Sequence, residues 1–159
     1  MQRRVLLGLF AALPAFARAA TPGEDAPQPD LPKEKLAIIT RDGKRHEFNV
    51  EMALSPDQQR VGLMFRPSVP ADGGMLFDWG VVRASSMWMR NTISSLDMVF
   101  INPDGTIRAI AERTVPHSLA TISSRGPVRA TLELAAGTAE RLNIRVGDKV
   151  RQRIFGNPP

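Results

Sequence analysis

The chain contains no cysteine, which excludes disulfides, thiolate metal ligation and thiol chemistry. An exported domain can do without disulfides when it is long enough to bury one core, and roughly 120 residues suffice. It also has no apolar run long enough to cross a bilayer. The N-terminal stretch Val5–Ala17, interrupted by Pro14, falls short of the roughly 20 residues that a spanning helix needs. Strong charge imbalance is missing as well, with 21 basic residues against 16 acidic ones. Hydrolytic signatures of the G-x-S-x-G and H-E-x-x-H kind do not occur. Gly73-Gly74 lacks the lysine and spacing of a phosphate-cradling loop, and no cofactor motif is recognised.

The first residues, MQRRVLLGLFAALPAFARAA, combine an arginine n-region, an apolar run and the small-x-small pattern Ala17-Arg18-Ala19, as in a secretory signal peptide cut near Ala19 or Ala20. Without a cysteine at that point a lipid anchor is excluded chemically. The expectation is residues 1–20 as signal peptide and a mature protein that is periplasmic or secreted, with no stable membrane insertion. Residues 1–20 hold Arg3, Arg4 and Arg18 and no acid, so 21 − 3 = 18 bases face 16 acids in the remainder. A net charge near +2 is too small for a nucleic-acid footprint. The basic hairpin tip Arg41, Lys44, Arg45 is interleaved with Asp42 and Glu47 and reads as a solvated turn.

Residues 21–35, TPGEDAPQPDLPKEK, carry four prolines and one large apolar side chain, the composition of a disordered leader. A single domain is expected over 36–155, with 156–159 as a tail. Segments 36–40 and 46–54 flank an Asp42-Gly43 turn, a strong hairpin signal. Ser55-Pro56 with Gln58 three residues after the cap starts a helix carrying Gln59–Phe65. Further strands are expected at 74–77, 85–89, 96–101 and 106–111, the last pair joined by Asn102-Pro103-Asp104-Gly105 as a type I turn with a bulge. Leu96–Ile101 is apolar on both faces except Asp97, so it belongs in the middle of a sheet. Val128–Leu134 alternates as a half-buried strand. Thr138 is placed to cap a helix through Leu142, and 149–155 forms a last strand. The fold class is therefore mainly β (α+β): one compact barrel-like or sandwiched domain of about eight short strands with one or two short helices.

Read in order, Arg60-Val61-Gly62-Leu63-Met64-Phe65-Arg66, Gly74-Met75-Leu76-Phe77, Trp88-Met89-Arg90-Asn91-Thr92, Leu96-Asp97, Asp104-Gly105, Leu132-Glu133-Leu134 with Gly137, and Gly147-Asp148 resemble domain-of-unknown-function family 192. These are small prokaryotic proteins that often carry an export signal. The resemblance spans about residues 36–155 and implies one compact, mostly β domain with a helix after the second strand. It implies no reaction. The family usually has an aromatic residue where this chain has Met87.

The chemistry-bearing stretch is SMWMRNTISSLDMVFINPDG, Ser86–Gly105. A carboxylate in apolar surroundings must be paired or hydrogen-bonded, so Asp97 is expected to meet backbone donors and Arg90 or Asn91, bracing the turn. Alternatively Arg90, Asn91 and Thr92 floor a cleft walled by Trp88, with Arg60 or Arg66 adding a second fork for a carboxylate or phosphate. Glu133 falls on the polar side of its strand and by default is solvated. Turned toward Asp97 it would complete an acid–base pair on a polar envelope substrate. Met87 and Met89, two apart on a strand, would share a face and suit Cu(I), helped by Met64, Met75, Met98, His46 or His117. Methionine at that spacing is also ordinary core filler. The expectation that emerges is a monomeric, non-enzymatic envelope protein that binds a small polar or anionic ligand or an envelope protein. Its binding residues would be Arg60, Arg66, Trp88, Arg90, Asn91, Thr92, Asp97 and Glu133. A hydrolase through Asp97 and Glu133 and a Cu(I) protein through Met87 and Met89 are the alternatives.

Overall fold

The computed structural model describes residues 25–159. The expected signal peptide lies outside the described residues. Seven strands form one sheet: β1 (Lys33–Ile39), β2 (Arg45–Ala53), β3 (Met75–Met87), β4 (Leu96–Ile101), β5 (Ile107–Ala111), β6 (Ile122–Ala135) and β7 (Lys149–Arg151). Two short helices accompany them, α1 (Pro56–Val61) and α2 (Thr138–Leu142), and a 3-10 turn covers Arg153–Phe155.

The strand order is β5-β4-β6-β3-β2-β1-β7, antiparallel throughout apart from the parallel β2–β3 pair. The two ends of this order come together. Thr106 bridges Lys149, Ile107 N–H donates to the Asp148 carbonyl (2.9 Å), and Val150 N–H donates to the Gly105 carbonyl (2.8 Å). A barrel-like sheet results, which leaves almost no free edge.

Local chemistry explains the elements. Ser55 and Gln58 form a reciprocal capping box, with Pro56 in the first turn, and α1 stops at Gly62, whose φ is +51°. It therefore ends four residues before the expected Phe65. The Asn102–Gly105 turn has Gly105 at φ +86° and displaces the β4–β5 register by one residue after Phe100, as a bulged turn should. The expected strands at 74–77 and 85–89 are one continuous strand, which is why seven are present and not eight. The expected strand 149–155 ends at Arg151, because the Gln152 side chain caps the 3-10 turn through Ile154 N–H.

Residues of the leader belong to the fold. Lys33–Lys35 open β1, Met52 N–H donates to the Pro32 carbonyl, and Gln28 Nε2 donates to the Gln58 and Gly62 carbonyls. The buried Glu51 carboxylate anchors this segment. It accepts Leu31 N–H (2.8 Å) and both arms of Arg66 (3.0 and 3.1 Å). Proline-rich composition argued for disorder, but the buried Glu51–Arg66 pair offers a charged acceptor to the Leu31 amide and so supplies what the segment's own side chains do not.

The core divides by sheet face. Leu36, Ile38, Val50, Leu76, Val99 and Leu132 fill the barrel interior. On the outer face of β3, β4 and β6 a second cluster joins Met75, Phe77, Met98 and Phe100 to Leu63 and Met89 from the flanking loops. All six residues of β4 are buried.

Candidate functional site

The outer-face cluster is incompletely covered, and a cleft of about 550 Å³ opens there between α1 and the β3 wall. Volumes of this order accept a drug-sized molecule. The geometry begins with a bulge. Asp78 pairs with Ala130, and the next partners are Arg83 and Val128, so β3 advances five residues while β6 advances two. The surplus throws Trp79–Val82 outward to make one wall. Asp78 secures the bulge by accepting Gly80 N–H (2.8 Å) and a two-pronged contact from Arg129 (2.9 and 2.9 Å). Gln59 of α1 reaches across to the Ala53 and Asp78 carbonyls (3.1 and 2.7 Å), fixing the opposite wall.

Glu133 lies at the bottom. Its direct cross-strand partners are Met98 on β4 and Met75 on β3, and residues directly opposite share a face. The next row along is Phe100, Thr131 and Phe77. The carboxyl thus sits in a row of thioethers above a row of aromatics. It is 4 % exposed, borders the cleft, and accepts no hydrogen bond or ion pair among the described residues. Burial pushes it up to about 8, because desolvation disfavours the charged form. At neutral pH it is chiefly the acid, with one O–H to donate.

Asp97 behaves differently. It pairs with Leu134 and faces the barrel interior, so alternation along β4 and β6 puts it on the opposite side of the sheet from Glu133. The expected carboxylate pair does not form. Asp97 accepts three backbone N–H groups, from Arg113 (2.8 Å), Gly137 (3.1 Å) and Ala139 (2.9 Å). The brace reading holds for backbone donors but not for Arg90 or Asn91. This carboxylate also serves the start of α2, where Gly137 occupies the cap position and Thr138 makes no capping bond.

The other expected residues separate into two groups. Arg60, Trp88 and Thr92 border the cleft. Arg90 is exposed and lies over the Trp88 ring at 5.6 Å. Asn91 contributes backbone: at φ +53° its carbonyl receives Phe65 N–H. Arg66 is held by Glu51 and Asp30 and does not border the cleft. Arg60 pairs with Asp57 (3.3 Å). Met87 and Met89 diverge, since β3 ends at Met87. Met87 borders the cleft, whereas Met89 is fully buried and its sulfur accepts the Thr114 hydroxyl (3.1 Å). Both pack in the same outer-face cluster, but as a cleft-lining and a fully buried side chain and not as a strand-paired couple.

Trp79 and Arg83 went unnoticed in the sequence. Arg83 lies over the Trp79 ring at 4.4 Å, and Trp79 packs near Phe77 with ring centroids 5.7 Å apart. Glu133, by default expected on a solvated face and also named among the binding residues, is buried at the cleft. The strands that turn out to flank it carry large apolar residues on the matching parity, Met75 and Phe77 on one and Met98 and Phe100 on the other, a pattern the sequence shows without showing that they are neighbours.

A seven-stranded, nearly closed β-barrel with a walled cleft on its outer face defines a small β-rich domain of a known type. Residues 37–152 match the model of domain-of-unknown-function family 192, described as an "Uncharacterized ACR", and the chain belongs to that family. A Sinorhizobium meliloti 1021 protein whose crystal structure is described as that of a "putative transcription regulator" is 48 % identical, with a TM-score of 0.76 over 78 % of this chain and 96 % of that one. A protein of unknown function from Novosphingobium aromaticivorans DSM 12444 is 34 % identical, with a TM-score of 0.74 over 89 % and 99 %. The comparison with curated proteins found no match.

Proposed function

We propose that this is an exported, non-enzymatic envelope protein that binds a small ligand in the outer-face cleft. The observation that carries the reading is Glu133: a nearly buried carboxyl without a protein hydrogen-bond partner, bordering a cleft of about 550 Å³. Leaving such a group unsatisfied costs about 1–3 kcal/mol, and a bound molecule that meets the carboxyl recovers it. Among the described lining residues there is one carboxyl, two arginines and no histidine, which favours recognition over paired acid–base chemistry. The apolar walls and few convergent polar groups are those of a binding pocket.

Trp79 and Trp88, the chain's two tryptophans, both border the cleft, so indole signals report occupancy directly. Protein isolated from the periplasmic fraction of its host and sprayed under native conditions is expected to carry a small-molecule adduct. Unfolding and refolding should remove that adduct and change the tryptophan emission. Mass and emission both unchanged by that cycle would defeat the reading. N-terminal sequencing of the same material is expected to begin at Ala20 or Thr21.

A further inference from the structure

Resting on that cleft reading, we propose that the ligand is a small amphiphilic carboxylate. Its anionic end meets Arg83 at the mouth, its apolar body lies along the indoles and thioethers, and a carbonyl or ether oxygen at its far end accepts a hydrogen bond from Glu133. Three observations select this class over an amine or an uncharged hydrocarbon.

The first is the charge of the mouth. Among the lining residues Arg60 is paired with Asp57, Arg83 is a second cation, and Glu133, the one carboxyl, is chiefly uncharged at neutral pH. The field at the entrance therefore favours an anion. The second is the state of Arg83. Among the described residues no carboxylate lies within ion-pair distance of it, and its guanidinium rests on the Trp79 ring at 4.4 Å. A planar, weakly hydrated fork already stacked on an indole loses little freedom when it engages a carboxylate. The same contact places a cation on the Trp79 face, where an ammonium ligand would otherwise sit. Arg90 does the same to Trp88. The third is the floor. Glu133 sits between Met75 and Met98, whose thioethers are at most weak acceptors, so its O–H is spare and complements an oxygen acceptor.

Three aryl probes of one size test this: 4-acetylbenzoate, 4-ethylbenzoate and 4-ethylbenzylamine, titrated into the 15N-labelled protein while the two indole N–H resonances are followed. Both carboxylates should shift the indoles, with 4-acetylbenzoate bound at least about fivefold more tightly than 4-ethylbenzoate. Arg83→Gln should weaken both carboxylates about tenfold. Glu133→Gln, which keeps a donor, should hold 4-acetylbenzoate within about threefold, whereas Glu133→Leu should erase the acetyl preference. Equal affinity for the two carboxylates overturns the role of Glu133. Tight binding of 4-ethylbenzylamine alone, lost in Glu133→Gln, overturns the ligand class and leaves the cleft as a binding site. Silence of both indoles toward all three probes overturns the class and the cleft reading together.

Discussion

Replacing Glu133 by Gln should make the protein more stable at neutral pH and leave it unchanged in acid. The sign follows from proton linkage. The folded state holds the Glu133 proton up to about pH 8, whereas the unfolded chain releases it near the usual 4.5. Between those values the native state binds more protons than the unfolded state, so stability falls as pH rises. At about 1.4 kcal/mol per pH unit the penalty is about 3 kcal/mol at pH 7 and about 5 kcal/mol above pH 8. Below pH 4.5 it vanishes. Gln cannot ionise and avoids the penalty while keeping the side-chain length. For a domain of this size about 3 kcal/mol corresponds to roughly 10 °C in Tm. Urea unfolding of both proteins at pH 4.5, 6, 7 and 8 measures the difference. Curves that stay parallel across this range, or a wild type that gains on the Gln variant as pH rises, would show that Glu133 ionises freely and that its burial has been misjudged.

Three further outcomes are expected. Asp97→Ala leaves the backbone donors of Arg113, Gly137 and the buried Ala139 without their acceptor and should cost about 2–4 kcal/mol, with Asp97→Asn intermediate; urea midpoints decide, and a loss under about 1 kcal/mol contradicts the bracing role. Arg66→Met strands the buried Glu51 carboxylate and should cost about 2–4 kcal/mol, with faster exchange of the Leu31 amide that Glu51 accepts; unchanged protection there would refute the anchoring. Gly105→Ala must hold φ +86° with its new methyl driven into the Val150 carbonyl oxygen, and a loss of at least about 2 kcal/mol is expected. A Tm within 2 °C of wild type, against the roughly 6 °C that this loss implies, would show that the seam yields easily.

Turn and cap chemistry was the most legible part of the sequence. Ser55, Pro56 and Gln58 marked the start of α1, and Asn102–Gly105 marked the β4–β5 hairpin, because those signals depend on residues within one turn of each other. Failures arose where distant groups decide. Thr138 has the right hydroxyl for a cap, but Asp97, about 40 residues earlier, already bonds the backbone there. The 25–35 segment reads as disordered until Glu51 and Arg66 are placed beside it. Glu133 alternates with leucines as a solvated residue would, and only the placement of β6 between β3 and β4, beneath loop residues Leu63 and Met89, buries its outer side. At the site, Trp88 and Thr92 could be selected from their strand end, whereas Trp79 and Arg83 depend on a bulge that shows only against its partner strand.

The joint between β5 and β7 is made by residues 105–107 on one side and 147–150 on the other. The closing piece is the short strand β7 together with the turn that precedes it. A chain lacking it carries two unpaired margins, along β1 and β5, each able to recruit a strand from another molecule. Removing residues 146–151 should therefore yield a self-associating species, with residues 147–150 as the clasp that closes the sheet on itself.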